Sequence, residues 1–487
     1  MPPMNRLFYG DNLDVLRRDI QASTVDLIYL DPPFNSNRSY NVIFNRHDTT
    51  NDADAAQIHA FDDTWQWTPV TEQQYERYVG GEIPTAVSDA LRSFRLLLGE
   101  NTAMAYLVNM APRIVELHRV LKSTGSIFLH CDPVMSHYLK VLLDTIFGFD
   151  KFQNEIIWHH QLGAMAGSSK FPSKHDVILW YSKGKNPTYN KLRGEVTQQM
   201  AAKYSHEDAG GKYMMSYGKK YYLKGGKPYD DVWDIPAIAP TSAERLGYPT
   251  QKPLALLERV ILAGSDQGDV VLDPFCGCGT AIDAAIRADR QWLGIDITYI
   301  AIDLIEKRLL HTHGPDIADT YEVLGIPRDN AAALALFSRS PFDFERWAVS
   351  LVNGEPNQKQ VGDRGIDGVV RFPLDGRRNF GRALVSVKGG RQLNPAMVRD
   401  LGGTVTTQKA EMGILITNGP ATRGMIDEAN HAGSYKHAYY DQTYPRIQII
   451  TVNDLLSGTK PSMPPSILPY IQALRAKTPA DQASLFE

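Results

Sequence analysis

The sequence predicts an α/β fold, a largely parallel sheet with helices on both faces. Three observations predict it. Short apolar runs alternate with segments of helical period. The run at 24–34 reads as a buried parallel strand ending in a proline-rigid loop, and 271–280 reads as strand, tight turn and helix start. The composition, 43% hydrophobic and 22% charged, is that of an ordinary globular protein and excludes wholesale disorder, collagen-like structure and coiled coil. At about 150 residues per domain, 487 residues correspond to three units.

Further strands are expected at Ser126–His130, Ile156–His159 and Val177–Tyr181, with helices at Arg113–Lys122 and Val134–Phe147 between them. Regular patterning weakens over 170–227 and returns with a helix at Pro253–Ala263, a strand at Val270–Asp273, a helix at Thr280–Ala288, a strand at Trp292–Asp296 and a helix from Ala301 to His311. Residues 313–336 read as a linker with a helical turn. A third unit over 337–456 opens with a helix (Phe344–Val352), continues as a hairpin across 366–388 and then alternates helix and strand. Residues 457–487 read as a proline-studded, extended tail.

The net charge is only −4, but it is unevenly placed. Residues 170–227 hold twelve Lys/Arg against four Asp/Glu, whereas 1–160 hold thirteen against twenty. Tyr181, Tyr189, Tyr204, Tyr213, Tyr217, Tyr221 and Tyr222 punctuate the basic stretch, whose bland reading is a solvated lysine-rich insertion. No apolar run is long enough to span a bilayer, and the first residues lack a signal-peptide core, so the expected location is cytoplasmic. The three cysteines, Cys131, Cys276 and Cys278, are too few and too odd for a disulfide framework. Cys276 and Cys278 lie inside a glycine loop with no second pair, which argues against a metal knuckle.

That loop, Asp273-Pro274-Phe275-Cys276-Gly277-Cys278-Gly279-Thr280, lets the backbone approach a ligand and turn into a helix. Asp296 ends the next strand, 19 positions after Gly277, where a carboxylate can accept both ribose hydroxyls of a nucleoside cofactor. The third glycine of a dinucleotide loop is missing and no pyrophosphate clamp is evident. Asp273 instead suits a cationic ammonium group, which favours S-adenosylmethionine. The bland alternative is an ordinary strand–helix turn.

Asp31-Pro32-Pro33-Phe34 follows the first buried strand. Two prolines fix two φ angles and offer no N–H, so the Pro32 carbonyl is held as an acceptor beside the Asp31 carboxylate. Two acceptors match the two N–H bonds of an exocyclic amino group, and Phe34 offers a face on which a base stacks. In isolation the tetrapeptide is an ordinary turn.

With Asp31–Phe34 and Asp273–Thr280 in one chain, the sequence resembles the DNA amino-methyltransferases, which methylate adenine N6 or cytosine N4. The order, tetrapeptide then basic region then glycine loop, is similar to the β-class, whose Rossmann-like sheet is circularly permuted. Tyr9-Gly10-Asp11 resembles the element whose aspartate meets the cofactor's adenine. Tyr248-Pro249-Thr250-Gln251-Lys252-Pro253 resembles the segment at its methionine end. Four ordered motifs over about 5–312 carry the likeness. Cys278 stands where the family usually has serine, a small-for-small change.

The resemblance implies S-adenosylmethionine held by Asp11, Thr250, Lys252, Asp273, Phe275, Gly277, Gly279, Thr280 and Asp296. It implies Asp31, Pro32, Pro33 and Phe34 as the catalytic group, acting on a base extruded from double-stranded DNA. Residues 165–245 would be the target-recognition region of a methyltransferase domain at 1–312. Aspartate rather than serine at position 31 favours adenine, with cytosine N4 the alternative. Enzymes acting on glutamine typically carry Asn before the two prolines, so a protein or RNA substrate fits less well. A DNA-binding module without transfer activity would not need the intact motifs. The segment Phe61–Trp67 reads either as a lid facing DNA or as a packed aromatic cluster.

In the third unit, Gly362–Val370 leads through the charged turn Asp375–Arg378 to Leu384–Lys388, where Ser386 and Lys388 share one strand face. A carboxylate and a lysine on neighbouring strands are the elements of a Mg²⁺-dependent hydrolytic site. The segment resembles the Mrr-like branch of the PD-(D/E)xK restriction-endonuclease fold. That likeness makes Asp367 the metal ligand and Lys388 the catalytic lysine, with Phe344-Glu345 on the opening helix. Ser386 replaces the family's Glu or Gln and is a poor metal ligand, with Glu345 as the compensating group. The domain therefore reads either as an endonuclease partner in restriction–modification or as a nuclease fold kept for binding DNA. Gln482–Phe486 resembles the peptide by which bacterial proteins dock on the replication sliding clamp. A homodimer is the remaining partner expectation.

Overall fold

The computed structural model describes residues 5–33, 38–44, 56–63, 65–160, 171–239, 242, 244–246, 248, 250–356, 365–374, 380–390 and 392–466, with the backbone alone for 38–44 and 56–63. In chain order the strands of the first part are β1 (Asn5–Tyr9), β2 (Val25–Leu30), β3 (Arg38–Phe44), β4 (Ala56–Asp63), β5 (Leu121–Cys131), β6 (Phe152–His159), β7 (His175–Ser182), β8 (His206–Asp208), β9 (Gly211–Ser216), β10 (Lys219–Tyr222), β11 (Val232–Asp234), β12 (Val270–Asp273), β13 (Gln291–Asp296) and β14 (Tyr321–Leu324). Nine of them form one sheet in the order β11-β6-β7-β5-β2-β12-β13-β1-β14. Every neighbouring pair is parallel except those of β7, which runs against β5 and β6.

β2 explains why the sheet is covered on both sides. All six of its residues are buried. Leu27 and Tyr29 pack with the helices Leu254–Gly264, Thr280–Arg287 and Tyr299–His313, while Ile28 and Leu30 pack with Asn12–Asp19, Thr102–Val120 and Ser136–Phe147. Alternate side chains thus supply two separate cores. Asp26, the one charge in this run, is answered by Lys122 at 2.7 Å and the Val270 N–H at 3.0 Å. The permuted arrangement expected from the motif order is present: β2 lies between β5 and β12, next to a strand made some 240 residues later.

Residues 313–336 are not a linker. They hold a short 3-10 turn, then β14, which pairs in parallel with β1 as an edge of the main sheet, and then the helix Asn330–Arg339. The helix Pro341–Ser350 packs on Tyr299–His313, so the hydrophobic core runs on without a break from Ile302, Ile305 and Leu309 to Ala333, Leu336, Phe344 and Trp347. Four residues of β14 give no periodic signal; the pairing is created by β1, over 300 residues away in sequence.

The third unit contains β15 (Glu355–Pro356), β16 (Gly368–Pro373), β17 (Phe380–Lys388), β18 (Met412–Thr417), β19 (Ser434–His437), β20 (Gln442–Pro445) and β21 (Ile447–Thr451). Its five-stranded sheet has the order β15-β16-β17-β18-β21, antiparallel at the first two pairings and parallel at the last two. The expected hairpin is β16–β17; its turn, Asp375–Arg378, lies outside the described residues, as do Gly362–Arg364. The basic stretch is loops, one short helix and the three-stranded meander β8–β10. No helix among the described residues is long and apolar enough to cross a membrane.

Candidate active site

The ends of the parallel strands converge on one edge of the sheet, the edge where ligands bind in open α/β folds. There β1 delivers Gly10 and Asp11, β2 delivers Asp31–Pro33, β12 delivers the glycine loop and β13 delivers Asp296–Thr298. They line a single cavity of about 750 Å³ together with Trp65, Asn109, Arg113, His160, Asp176, Tyr248, Thr250 and Lys252. That is the size of a small-molecule site. Of the expected site residues, Phe34 and Gln482–Phe486 lie outside the described residues.

The glycine loop is shaped by its two glycines, both with left-handed φ, +50° at Gly277 and +74° at Gly279. A Cβ at Gly277 would stand 3.2 Å from the Tyr248 ring, and one at Gly279 would stand 2.9 Å from Ile305. Asp273 is 5% exposed and accepts the Phe275 N–H at 3.0 Å. Burial drives its carboxyl well above the usual range, with the charges of Asp31 and Asp296 adding to the effect. Asp296 takes the Gly277 N–H at 2.9 Å and both the N–H and hydroxyl of Thr298 at 2.8 Å. The Ile297 N–H adds a further hydrogen bond to the same carboxylate. Burial still raises its pKa to about 6.

Thr280 borders the cavity, but its hydroxyl accepts Arg308 Nη1 at 3.1 Å, and that guanidinium also holds the Cys278 carbonyl and Asp283. Burial keeps both loop thiols protonated by pushing them up. Asp11 caps the helix Asn12–Asp19 through the Leu13 N–H and receives Arg113 Nη2 at 2.8 and 3.0 Å. Asn12 ties this corner to the glycine loop by donating to the Pro274 carbonyl at 2.8 Å.

Lys252 has a partner that its motif does not reveal. It lies in the cavity, but its ammonium forms an ion pair with the Asp31 carboxylate, the two side chains being 11% and 13% exposed. The segment before the helix Leu254–Gly264 is stapled by Gln251, which accepts from Leu246 N and donates to the Glu244 carbonyl. Lys252 is thereby carried to the mouth of β2. Behind Asp31 lies a bar of hydrogen bonds across three adjacent strands. The Tyr29 hydroxyl (β2) meets His130 Nδ1 (β5) at 2.9 Å, and His130 Nε2 meets Asp176 Oδ2 (β7) at 3.2 Å. None of these contacts was foreseen. The available signal was the two-residue spacing of Tyr29 and Asp31, which places them on one face. Trp67 packs with Tyr75 under Arg95, as the aromatic-cluster reading has it, while Trp65 reaches both Tyr106 and the cavity.

The pocket therefore gathers Asp31, Asp176, Asp273 and Asp296 around one lysine, with Arg113 committed to Asp11. Asp273 and Asp296, whose carboxyls burial pushes up, are relieved by a cationic ligand. A nucleoside bearing a sulfonium and an ammonium group fits that donor set. Asp31 and Pro32 border the same cavity as the glycine loop and Asp296.

In the third unit the three expected residues do come together. Asp367 Oδ2 accepts the Val387 N–H at 2.6 Å and lies 3.5 Å from Ser386 Oγ and 4.0 Å from Lys388 Nζ; the Ser386 hydroxyl donates to the Gly365 carbonyl. Glu345 is half-buried on the opening helix. Among the described residues no group of three His, Cys, Asp or Glu side chains is placed to hold a metal. A single carboxylate already bonded to backbone and facing a lysine does not fit Mg²⁺, which takes oxygen ligands in an octahedron.

Comparison with known proteins agrees with this class. A family model described as DNA methylase matches residues 25–307, and the chain belongs to that family. Residues 343–457 match a model described as NACHT-associated inactive restriction endonuclease 1. The chain is similar to the type II methyltransferase M.EcaI of Enterobacter cloacae, 24% identical over 366 residues, 64% of this chain and 70% of that protein. It is similar to the DNA adenine methyltransferase YhdJ of Escherichia coli (strain K12), 26% identical over 316 residues, 65% of this chain and 84% of that protein. Among solved structures, the PvuII DNA methyltransferase (cytosine-N4-specific) aligns over 67% of this chain and 99% of its own with 13% identity and a TM-score of 0.38.

Proposed function

We propose that the chain is a sequence-specific, S-adenosylmethionine-dependent methyltransferase acting on adenine N6 in double-stranded DNA, as the modifying member of a restriction–modification system. The observation that carries the reading is that Asp31 and Pro32 open into the same cavity as the glycine loop and Asp296. Asp273 and Asp296 would hold the cofactor's charged and ribose ends, and Asp11 its base. When bound, the cofactor supplies an electrophilic methyl group. The chain's own part is to orient an amino nitrogen between the Asp31 carboxylate and the Pro32 carbonyl and to exclude water. Aspartate at position 31 supports adenine, in line with the name of the Escherichia coli relative. Cytosine N4 is the second reading. The basic residues of 165–245, including the meander β8–β10, supply phosphate contacts and the target choice.

Modification-sensitive long-read sequencing of DNA from cells expressing the wild-type chain and Asp31→Ala tests this. N6-methyladenine at one sequence context in the first and none in the second is the expected result. N4-methylcytosine moves the assignment to the second reading. No mark at all refutes it. We read residues 337–456 as an Mrr-like nuclease fold that contacts DNA without cutting it; the match to a family model described as inactive and the lack, among the described residues, of a group of three His, Cys, Asp or Glu placed to hold a metal support this. Gln482–Phe486 docks on the sliding clamp in this reading; deletion of 482–487 should abolish binding to purified clamp.

A further inference from the structure

Asp176 has no role in the reading above, yet it lines the transfer cavity and is built in with unusual care. Tyr29 and His130 are 2% and 0% exposed, and His130 is braced edge-on by Trp158 at 5.4 Å. Burial, with the charges of Asp31, Asp273 and Asp176 beside it, holds the Tyr29 proton on its oxygen, so the hydroxyl donates to His130 Nδ1. His130 Nε2 in turn faces Asp176 Oδ2 at 3.2 Å. Burial alone would raise the Asp176 carboxyl. The hydrogen bond and charge of His130, with the nearby charges of Lys252 and His160, outweigh burial and hold it below the usual range. The bar therefore fixes one carboxylate, ionised and oriented, at the start of β7.

Charge at this end of the cavity explains why a second carboxylate is needed. Lys252 cancels Asp31. In the proposed reaction, on which this inference rests, the amino nitrogen's lone pair forms the N–C bond while the C–S bond breaks with its electrons left on sulfur. One unit of positive charge thus arrives on the base. An N–H proton then passes to a carboxylate oxygen, its bonding pair staying on nitrogen. The ion pair with Lys252 already engages Asp31, the other carboxylate at this end. We propose that Asp176, held by His130 and Tyr29, is a second carboxylate that stabilises the cationic amino nitrogen during transfer. Preorganised charge in a water-poor site acts mainly on the transition state, so it alters rate rather than substrate affinity.

The test compares wild type, Asp176→Asn, Asp176→Glu and Tyr29→Phe on the duplex identified by sequencing. Asp176→Asn should lower the single-turnover methylation rate about a hundredfold, Tyr29→Phe by less, and Asp176→Glu should recover most of the rate. Calorimetric affinity for S-adenosylhomocysteine should stay within about threefold of wild type. A second readout needs no turnover: a duplex carrying 1-methyladenine, a cation, at the target position. Wild type should prefer it over the unmodified duplex, and Asp176→Asn should lose that preference by about tenfold. An Asp176→Asn protein that transfers at wild-type rate, or keeps the wild-type preference for the cationic duplex, overturns the inference. If Asp176→Asn melts below the assay temperature, the same two readouts on Tyr29→Phe and Asp176→Glu decide, and wild-type behaviour in Tyr29→Phe overturns it. A wild-type chain that marks no DNA sinks the proposed function instead, whatever the variants do.

Discussion

Asp296 makes the cofactor site pH-sensitive. Its carboxyl rises from the usual 3.8 to about 6 because burial outweighs the hydrogen bonds from Gly277, Ile297 and Thr298. Between these values the folded chain binds a proton that the unfolded chain has lost. Stability contributed by this group is thus present at low pH and is lost as pH rises from about 4 to about 6. Two units correspond to about 3 kcal/mol. A ribose hydroxyl donates to the ionised form, so binding is favoured once the proton has gone. With a pKa near 6, cofactor affinity at pH 5 should be about tenfold below that at pH 7.5 and should level off above pH 7. Isothermal titration of S-adenosylhomocysteine at pH 5, 6 and 7.5 reads this directly, since the product keeps the ribose and lacks the sulfonium. Asp296→Asn should bind more weakly at pH 7.5 and show a flatter profile. A wild-type affinity constant to within twofold across the range, or an unchanged slope in Asp296→Asn, would refute the reasoning.

Other consequences can be measured in the same protein. Gly277→Ala forces a left-handed alanine, costing about 1–2 kcal/mol, and presses on Tyr248; cofactor affinity should fall about tenfold, read by the same titration. Arg308 is 2% exposed and bound to Asp283, so Arg308→Met should cost about 3–5 kcal/mol in chemical denaturation. A chain truncated after residue 312 loses β14 and the cover over Ile302, Ile305 and Leu309. It should elute as aggregate in size-exclusion chromatography. Unmethylated plasmid incubated with the intact chain and Mg²⁺ should remain supercoiled on a gel; cuts abolished by Lys388→Ala would reverse the reading of residues 337–456.

Much of the site was legible because its motifs are local. A proline pair and two glycines impose backbone geometry within a few residues, so Asp31–Pro33 and Asp273–Thr280 announce themselves, and Asp296 follows from strand spacing. What escaped the sequence depends on strand neighbours. Tyr29, His130 and Asp176 are each unremarkable on their own strands, and only the order β7-β5-β2 brings them into line. Lys252 has a motif, but its partner Asp31 lies 221 positions away. β14 is a strand only because β1 offers it an edge.

The partners of β1, which are β13 and β14, also set a timetable for synthesis. Residues 5–9 leave the ribosome well before residues 291–324. At about 5–20 residues per second the interval is roughly 15–60 s. Throughout it, the first strand lacks both of its sheet partners. The same delay is protective: Asp31 emerges long before Lys252 and the glycine loop, so an unfinished polypeptide on the ribosome cannot mark the genome.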